Sequence, residues 1–288
     1  MSKAKELRRQ VVEDLISAIK EASGELEPRW RLGEGSLPAN AATGNPYTRG
    51  NMFVLWLAGR KLGFKSNLWV TFKQALDLGG HVTKGEKSRT GIFVPIPKKK
   101  EGDEDEMFFG SKAVFNVEQC SGLPAHLYDE PEVRPLQERY QDAMVYFAAQ
   151  DVIVLHRGES AHYERVADRI LMPVREDFYT DEHYLATLAH EHVHATGHAS
   201  RLEREFGKAR NDAAYCREEL VAELGAALVC AELGVEARVR HADYLKRYLE
   251  RLEEEENGVM KVLKDAARAA EYMRACAARA EKAPPLAA

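Results

Sequence analysis

Residues 185–198 read LATLAHEHVHATGH, and inside them His190-Glu191-His192-Val193-His194 forms an H-E-x-x-H pattern. On a helix, residues four apart lie on one face, a turn from each other. Both imidazoles then reach a single zinc ion, and Glu191 lies beside it, placed to take a proton from water. Leu185, Leu188, Ala189, Val193 and Ala195 make the surroundings apolar, so the helix is expected to be buried. Histidines and a glutamate buried without partners would be costly. The helix is expected from about Asp181 to Thr196, with Thr180 or Asp181 as N-cap and Gly197 at its end.

A catalytic zinc takes three protein ligands and keeps one position open. Downstream, a helix is expected over Tyr215–Leu233, and its stripe at 219, 222, 223, 226 and 230 reads Glu, Ala, Glu, Ala, Cys. Two carboxylates on a small apolar stripe make Glu219 and Glu223 the candidate third ligands. His198 is a rival, although Gly197 should end the helix before it. Cys216 and Cys230 read as packing residues. The E-x-x-x-E spacing resembles the second helix of gluzincin metallopeptidases, in which an acid four residues beyond the ligand holds a ligand histidine. That likeness assigns Glu219 as ligand and Glu223 as its support. It also implies an oxyanion donor on the following helix, expected over 237–255, where His241 and Tyr244 share a face. Three strand-like runs, DVIVLHRG, SAHYER and DRILMP, precede the motif helix. In zincin-type folds the edge strand beside that helix pairs with an extended peptide, and Ala167–Pro173 is placed to do so.

The whole chain has 288 residues, 45% apolar and 30% charged. Against a typical domain of about 150 residues, this length implies two globular domains. No run approaches the roughly 18 apolar residues of a membrane helix, and the start, MSKAKELRRQVVEDLISAIK, lacks a signal core. Cys120, Cys216, Cys230 and Cys276 form no C-x-x-C pair, which excludes a zinc ribbon or disulfide framework and fits a cytoplasmic protein without membrane partners.

Charge divides the chain. Residues 1–100 carry 18 Lys and Arg against 9 Asp and Glu, while the remaining 188 carry 23 against 37. A basic first half is expected to bind an anionic partner, nucleic acid above all. Single-strand binders join a cationic groove to aromatic platforms for bases. Here Trp30 lies between Arg29 and Arg31, Tyr47 near Arg49, and Trp69 and Phe72 beside Lys73. Trp30, Tyr47 and Trp69 are the candidate platforms, with Arg31, Arg49, Lys73, Lys84, Lys87 and Arg89 as cations. Helices are expected over 2–22, 52–62, 135–149 and 260–280. A hairpin should join strands at Val82 and Ile92–Ile96 through the tip KGEKSRT, EGDEDE (101–106) should be a solvated loop, and 121–135 a linker. The class is α+β, in two domains.

Several stretches share one resemblance. TLAHEHVHATGHASRLEREFG and YCREELVAELGAALVCAELG resemble the zincin-like domain of ArdC-type antirestriction proteins. WRLGEGSLPANAATGNPYTRGNMFVLW, SNLWVTFKQALDLGGHVTKGEKSRTGIFV and VFNVEQCSGLP resemble the family's other half. His192 departs from the pattern, standing where the family usually has an apolar residue. The resemblance implies a small mixed α/β domain over 1–125 that binds single-stranded DNA, a linker and leading helix over 126–150, and a zincin-like metallopeptidase domain over 151–288. It also implies one zinc or other divalent ion per chain, a host protein as peptidase substrate, and protection of incoming plasmid or phage DNA from host restriction. Two alternatives stay open: a non-enzymatic DNA-binding protein with a structural metal, and a DNA-anchored general metalloprotease.

Overall fold

The computed structural model describes residues 6–7, 9–14, 17, 37–48, 50–95, 109–129, 134–207, 212–235 and 258–282. By contacts the described residues form two compact units, those up to 129 and those from 134 onward.

The first unit runs β1 (Ala39–Asn40), α1 (Gly50–Leu62), β2 (Leu68–Val70), α2 (Phe72–Asp77), β3 (His81–Val82), β4 (Thr90–Pro95), β5 (Phe109–Asn116) and β6 (Cys120–Ser121). Its four-stranded sheet has the order β1-β2-β5-β4. Alternation along the strands splits the apolar residues between the two faces. On one face, Trp69, Val114 and Ile92 meet Leu55 and Ala58 of α1. Met52 to Gly59 are all buried, the mark of a helix apolar all round. The other face brings Val70 and Phe115 against Ala75 of α2, with Val117, Cys120, Leu123 and Leu127.

Two expectations are corrected here. Val82 pairs with Cys120, whereas Thr90–Pro95 pairs along its whole length with Phe109–Asn116. The segment KGEKSRT therefore joins two different sheets rather than tipping one hairpin, because β5 offers β4 a long alternating ladder and His81–Val82 can supply only two residues. The expected linker also begins late. Leu123 and Leu127 are buried in the core of the first unit, and the Tyr128 hydroxyl donates to the Cys120 carbonyl at 3.1 Å. The acidic run 101–106 and the expected helix 237–255 lie outside the described residues.

The second unit contains α3 (Leu136–Ala148), β7 (Ile153–His156), β8 (His162–Glu164), β9 (Arg169–Met172), α4 (Asp181–Thr196), α5 (Ala213–Glu232) and α6 (Gly258–Lys282). Its sheet has the order β7-β9-β8, with β9 parallel to β7 and antiparallel to β8. The ADRILMP strand is thus central, with both edges occupied, and cannot pair with a substrate. Its Ile170, Leu171 and Met172 are buried, as suits a middle strand, while the polar His162-Tyr163-Glu164 forms the edge. Helix α5 packs on α4 at Gly225, where an added Cβ would lie 2.9 Å from Val193 Cγ1. Absence of a side chain at that point sets how closely the two helices approach.

Candidate metal centre

Helix α4 begins where the Thr180 hydroxyl accepts the His183 N–H at 3.1 Å. Satisfying that orphan donor fixes the first turn, and with it the rotation of the helix about its axis. Tyr184, Leu185, Leu188 and Val193 then face the core, and His190 and His194 emerge together, half-buried, toward α5. Their Nε2 atoms are 3.1 Å apart. Glu219, from the first turns of α5, places its carboxylate 3.9 Å from His190 Nε2 and 3.8 Å from His194 Nε2. One ligand atom from each of the three residues lies within 4.8 Å of the others.

Carboxylates also stand behind both imidazoles. Glu223 Oε1 is 3.5 Å from His190 Nδ1, and Glu218 Oε1 is 3.1 Å from His194 Nδ1. Glu218 was not singled out in the sequence. The reasoning that marked Glu219 applied to it equally, since a helix sets it beside Ala214, Val221 and Ala222. Arg204, also unremarked, grips Glu218 through two bonds of 2.9 and 2.8 Å and donates to Thr196 Oγ1 and the Val193 carbonyl at the end of α4. This triad aims His194 Nε2 at Glu219 and His190.

The electrostatics follow from that packing. Burial pulls the His194 imidazole down, but the Glu218 hydrogen bond and the surrounding carboxylates outweigh it and push the group up to about 9. Burial raises Glu218, yet the bonds from Arg204 and His194 prevail and hold it below the ordinary carboxylate range. Glu191 is raised: burial is the largest cause, His194 opposes it, and the charge of Glu219 adds to it. The Tyr163 backbone, on the edge strand β8, lies near the Glu191 carboxylate and offsets part of that rise. His192 turns away from the cluster; its Nδ1 meets the Leu188 carbonyl at 2.7 Å and its ring packs 4.9 Å from Phe147. His198 is not part of the cluster either. It follows Gly197 and pairs with Ser200 Oγ at 2.8 Å. Cys216 and Cys230 are buried packing residues.

The donor set suits a divalent ion. Two imidazole nitrogens facing each other at 3.1 Å are close to the roughly 3.3 Å edge of a tetrahedral site with 2.0–2.1 Å bonds. A carboxylate stands behind each imidazole, and the 3.1 Å bond to Glu218 fixes the tautomer of His194.

Of the residues expected to meet DNA, Trp30, Arg31 and Arg49 lie outside the described residues, as do His241 and Tyr244 of the expected oxyanion pair. Lys73, Lys84, Lys87 and Arg89 are exposed. Tyr47 is half-buried against the α1 core, with its hydroxyl accepting from Asn40 at 3.2 Å. Trp69 is corrected. It is 1% exposed, sealed by Leu55, Ala58 and Phe64, and has no open face for a base. Period-2 alternation in Leu68–Val70 turns the indole inward and makes it core.

A motif helix and a carboxylate-bearing second helix beside a small sheet define the zincin class, and the family profile "Zincin-like metallopeptidase" matches residues 141–268. The profile "N-terminal domain of anti-restriction factor ArdC" matches residues 5–121. The chain belongs to the ArdC family of antirestriction proteins. The crystal structure of antirestriction ArdC from plasmid R388, Mn(II)-bound, is 32% identical with a TM-score of 0.75, covering 94% of this chain and 98% of that one. The metal-free structure of the same protein gives 31% and 0.74, over 94% and 97%. Among curated sequences, the uncharacterized protein y4eC of Sinorhizobium fredii (strain NBRC 101917 / NGR234) is 30% identical over 92% of this chain and 91% of its own length. The DNA primase TraC of Escherichia coli is 29% identical over 96% of this chain, which spans only 20% of that protein.

Proposed function

We propose that this chain is an antirestriction protein whose first unit binds single-stranded DNA and whose second unit is a metal-dependent peptidase. The convergence of His190, His194 and Glu219 beside the buried Glu191 carries the reading. A catalytic rather than structural ion is favoured by the donor set, since three ligands leave one position open. Zinc is the ion proposed from the two-imidazole, one-carboxylate set, and the related R388 protein is described with Mn(II).

His190, His194 and Glu219 would hold the ion, with Glu218 and Glu223 fixing the two rings. When bound, such an ion polarises a carbonyl and makes water more acidic. Glu191 takes the proton from the attacking water and delivers it to the leaving amine. The edge of β8 that has no strand partner among the described residues carries Tyr163, near Glu191, and is the proposed pairing site for an extended peptide. In the first unit, Lys73, Lys84, Lys87 and Arg89 supply cations for phosphates, and Tyr47 remains a candidate aromatic; Trp30, Arg31, Arg49, His241 and Tyr244 keep their sequence-based roles as proposals.

One pair of variants tests the reading. His190→Ala with His194→Ala should empty the site of metal, as read by elemental analysis. Glu191→Gln should keep both metal and DNA affinity while abolishing cleavage of a candidate host protein. Full metal occupancy in the double variant would overturn the site, and undiminished cleavage by Glu191→Gln would overturn the role of the base.

A further inference from the structure

Helix α2 turns its small residue inward and its large ones outward. Ala75 is fully buried, whereas Phe72 is 56% exposed and Leu76, one turn on, is 51% exposed. Two large apolar side chains stacked on the open side of one turn form a patch that a merely solvated surface would not need. The patch is firmly mounted. Thr71 and Gln74 close a capping box at the start of the helix. The Gln74 amide then exchanges hydrogen bonds with Asn40 at 3.2 and 3.3 Å, and Asn40 accepts the N–H groups of Ala42 and Thr43. Lys73, next to Phe72, is exposed and in no ion pair among the described residues.

We infer that this patch is the base-stacking platform of the first unit: a base of single-stranded DNA lies on the Phe72 ring, the adjoining nucleotide rests on Leu76, and Lys73 meets the phosphate between them. The inference rests on the DNA-binding reading and gives it a location. Charge selects the occupant. The first 100 residues carry twice as many cations as anions, which suits a polyanion and opposes docking of another basic surface. Stacking on an aromatic face needs no particular base, so the platform would bind without sequence preference. Phe72 thereby fills the role that Trp69, buried three residues earlier, cannot.

The full chain would be titrated with a labelled oligothymidylate at several salt concentrations. Phe72→Ala should weaken binding roughly 5- to 100-fold, as loss of one stacked base implies, with the salt slope unchanged because no charge is removed. Phe72→Tyr should restore binding to within about twofold, since the stacking face is retained. Lys73→Ala should instead flatten the slope by about 0.7, one released counterion on a single strand. If the unaltered protein binds but Phe72→Ala and Leu76→Ala bind equally well, this location is wrong and the DNA reading survives. Failure of the unaltered protein to bind would remove both. A change of oligomeric state in Phe72→Ala, with DNA affinity intact, would assign the patch to a second copy of the chain and overturn the inference.

Discussion

Removing the Glu218 carboxylate would strip Arg204, 8% exposed, of its partner and leave His194 free to turn. Breaking a buried ion pair on one side costs about 3–5 kcal/mol, so Glu218→Ala should lower stability by that order in denaturant titrations. Loss of a group that orients a metal-binding histidine typically weakens metal affinity about 10–100-fold, and calorimetric titration of the variant should show it. Acidity gives a second test at this scale. His194 in the metal-free protein titrates near 9, above its ordinary 6.5. Its contribution to stability is therefore complete below about 6.5 and is lost as pH climbs through about 9. Metal uptake runs the opposite way. The ion must displace that proton, so apparent affinity should rise roughly tenfold per pH unit across the same window. A pH-independent affinity would contradict the arrangement. Individual residues were legible where one periodicity decided them. His190, His194 and Glu219 stand on single helical stripes, and the structure brings them together. Glu218 and Arg204 were passed over because their roles depend on each other across an irregular loop, which no spacing rule describes.

Elements were legible where apolar periodicity was long. Helices α4, α5 and α6 lie within a few residues of their expected bounds because caps and apolar stripes agree. Strand pairing was not legible. A two-residue strand carries no period, so nothing in His81–Val82 distinguishes Cys120 from Ile92 as its neighbour. The order β7-β9-β8 likewise depends on which strand can bury both faces, a question settled only when α4 is in place. Helix spacing yields a further test. Gly225→Ala gains about 1 kcal/mol of helix propensity but meets Val193 at 2.9 Å, and such overpacking typically costs about 1–3 kcal/mol. A net loss of stability is expected. The double variant with Val193→Ala should lose less than the two single losses combined, because the smaller side chain relieves the clash.

For the whole molecule, each unit has a hydrophobic core of its own. Calorimetry should resolve two unfolding steps, and chelation of the metal should move only the one belonging to the second unit. An ion held at about 100 times its dissociation constant adds roughly 2.7 kcal/mol to the unit that binds it. Movement of both steps together would mean that the units unfold as one. The uneven charge belongs to this scale as well. Replacing Lys84, Lys87 and Arg89 together with alanine should flatten the salt dependence of DNA binding by about 2, at roughly 0.7 per phosphate contact. The charge split needed only counting along the chain, so it was open to view without coordinates; the surface it serves was not.

The burial of two tryptophans decides what light can report about this protein. Trp56 is 3% exposed and Trp69 1%, both inside the first unit. Their emission should be blue-shifted, resistant to acrylamide quenching, and nearly unchanged when a DNA strand arrives. These two indoles thus report the first unit's core and not its ligand, and any quenching by DNA would come from Trp30, the third tryptophan and a candidate base platform. A titration that followed these two indoles alone would record weak or absent binding even for a tightly held strand.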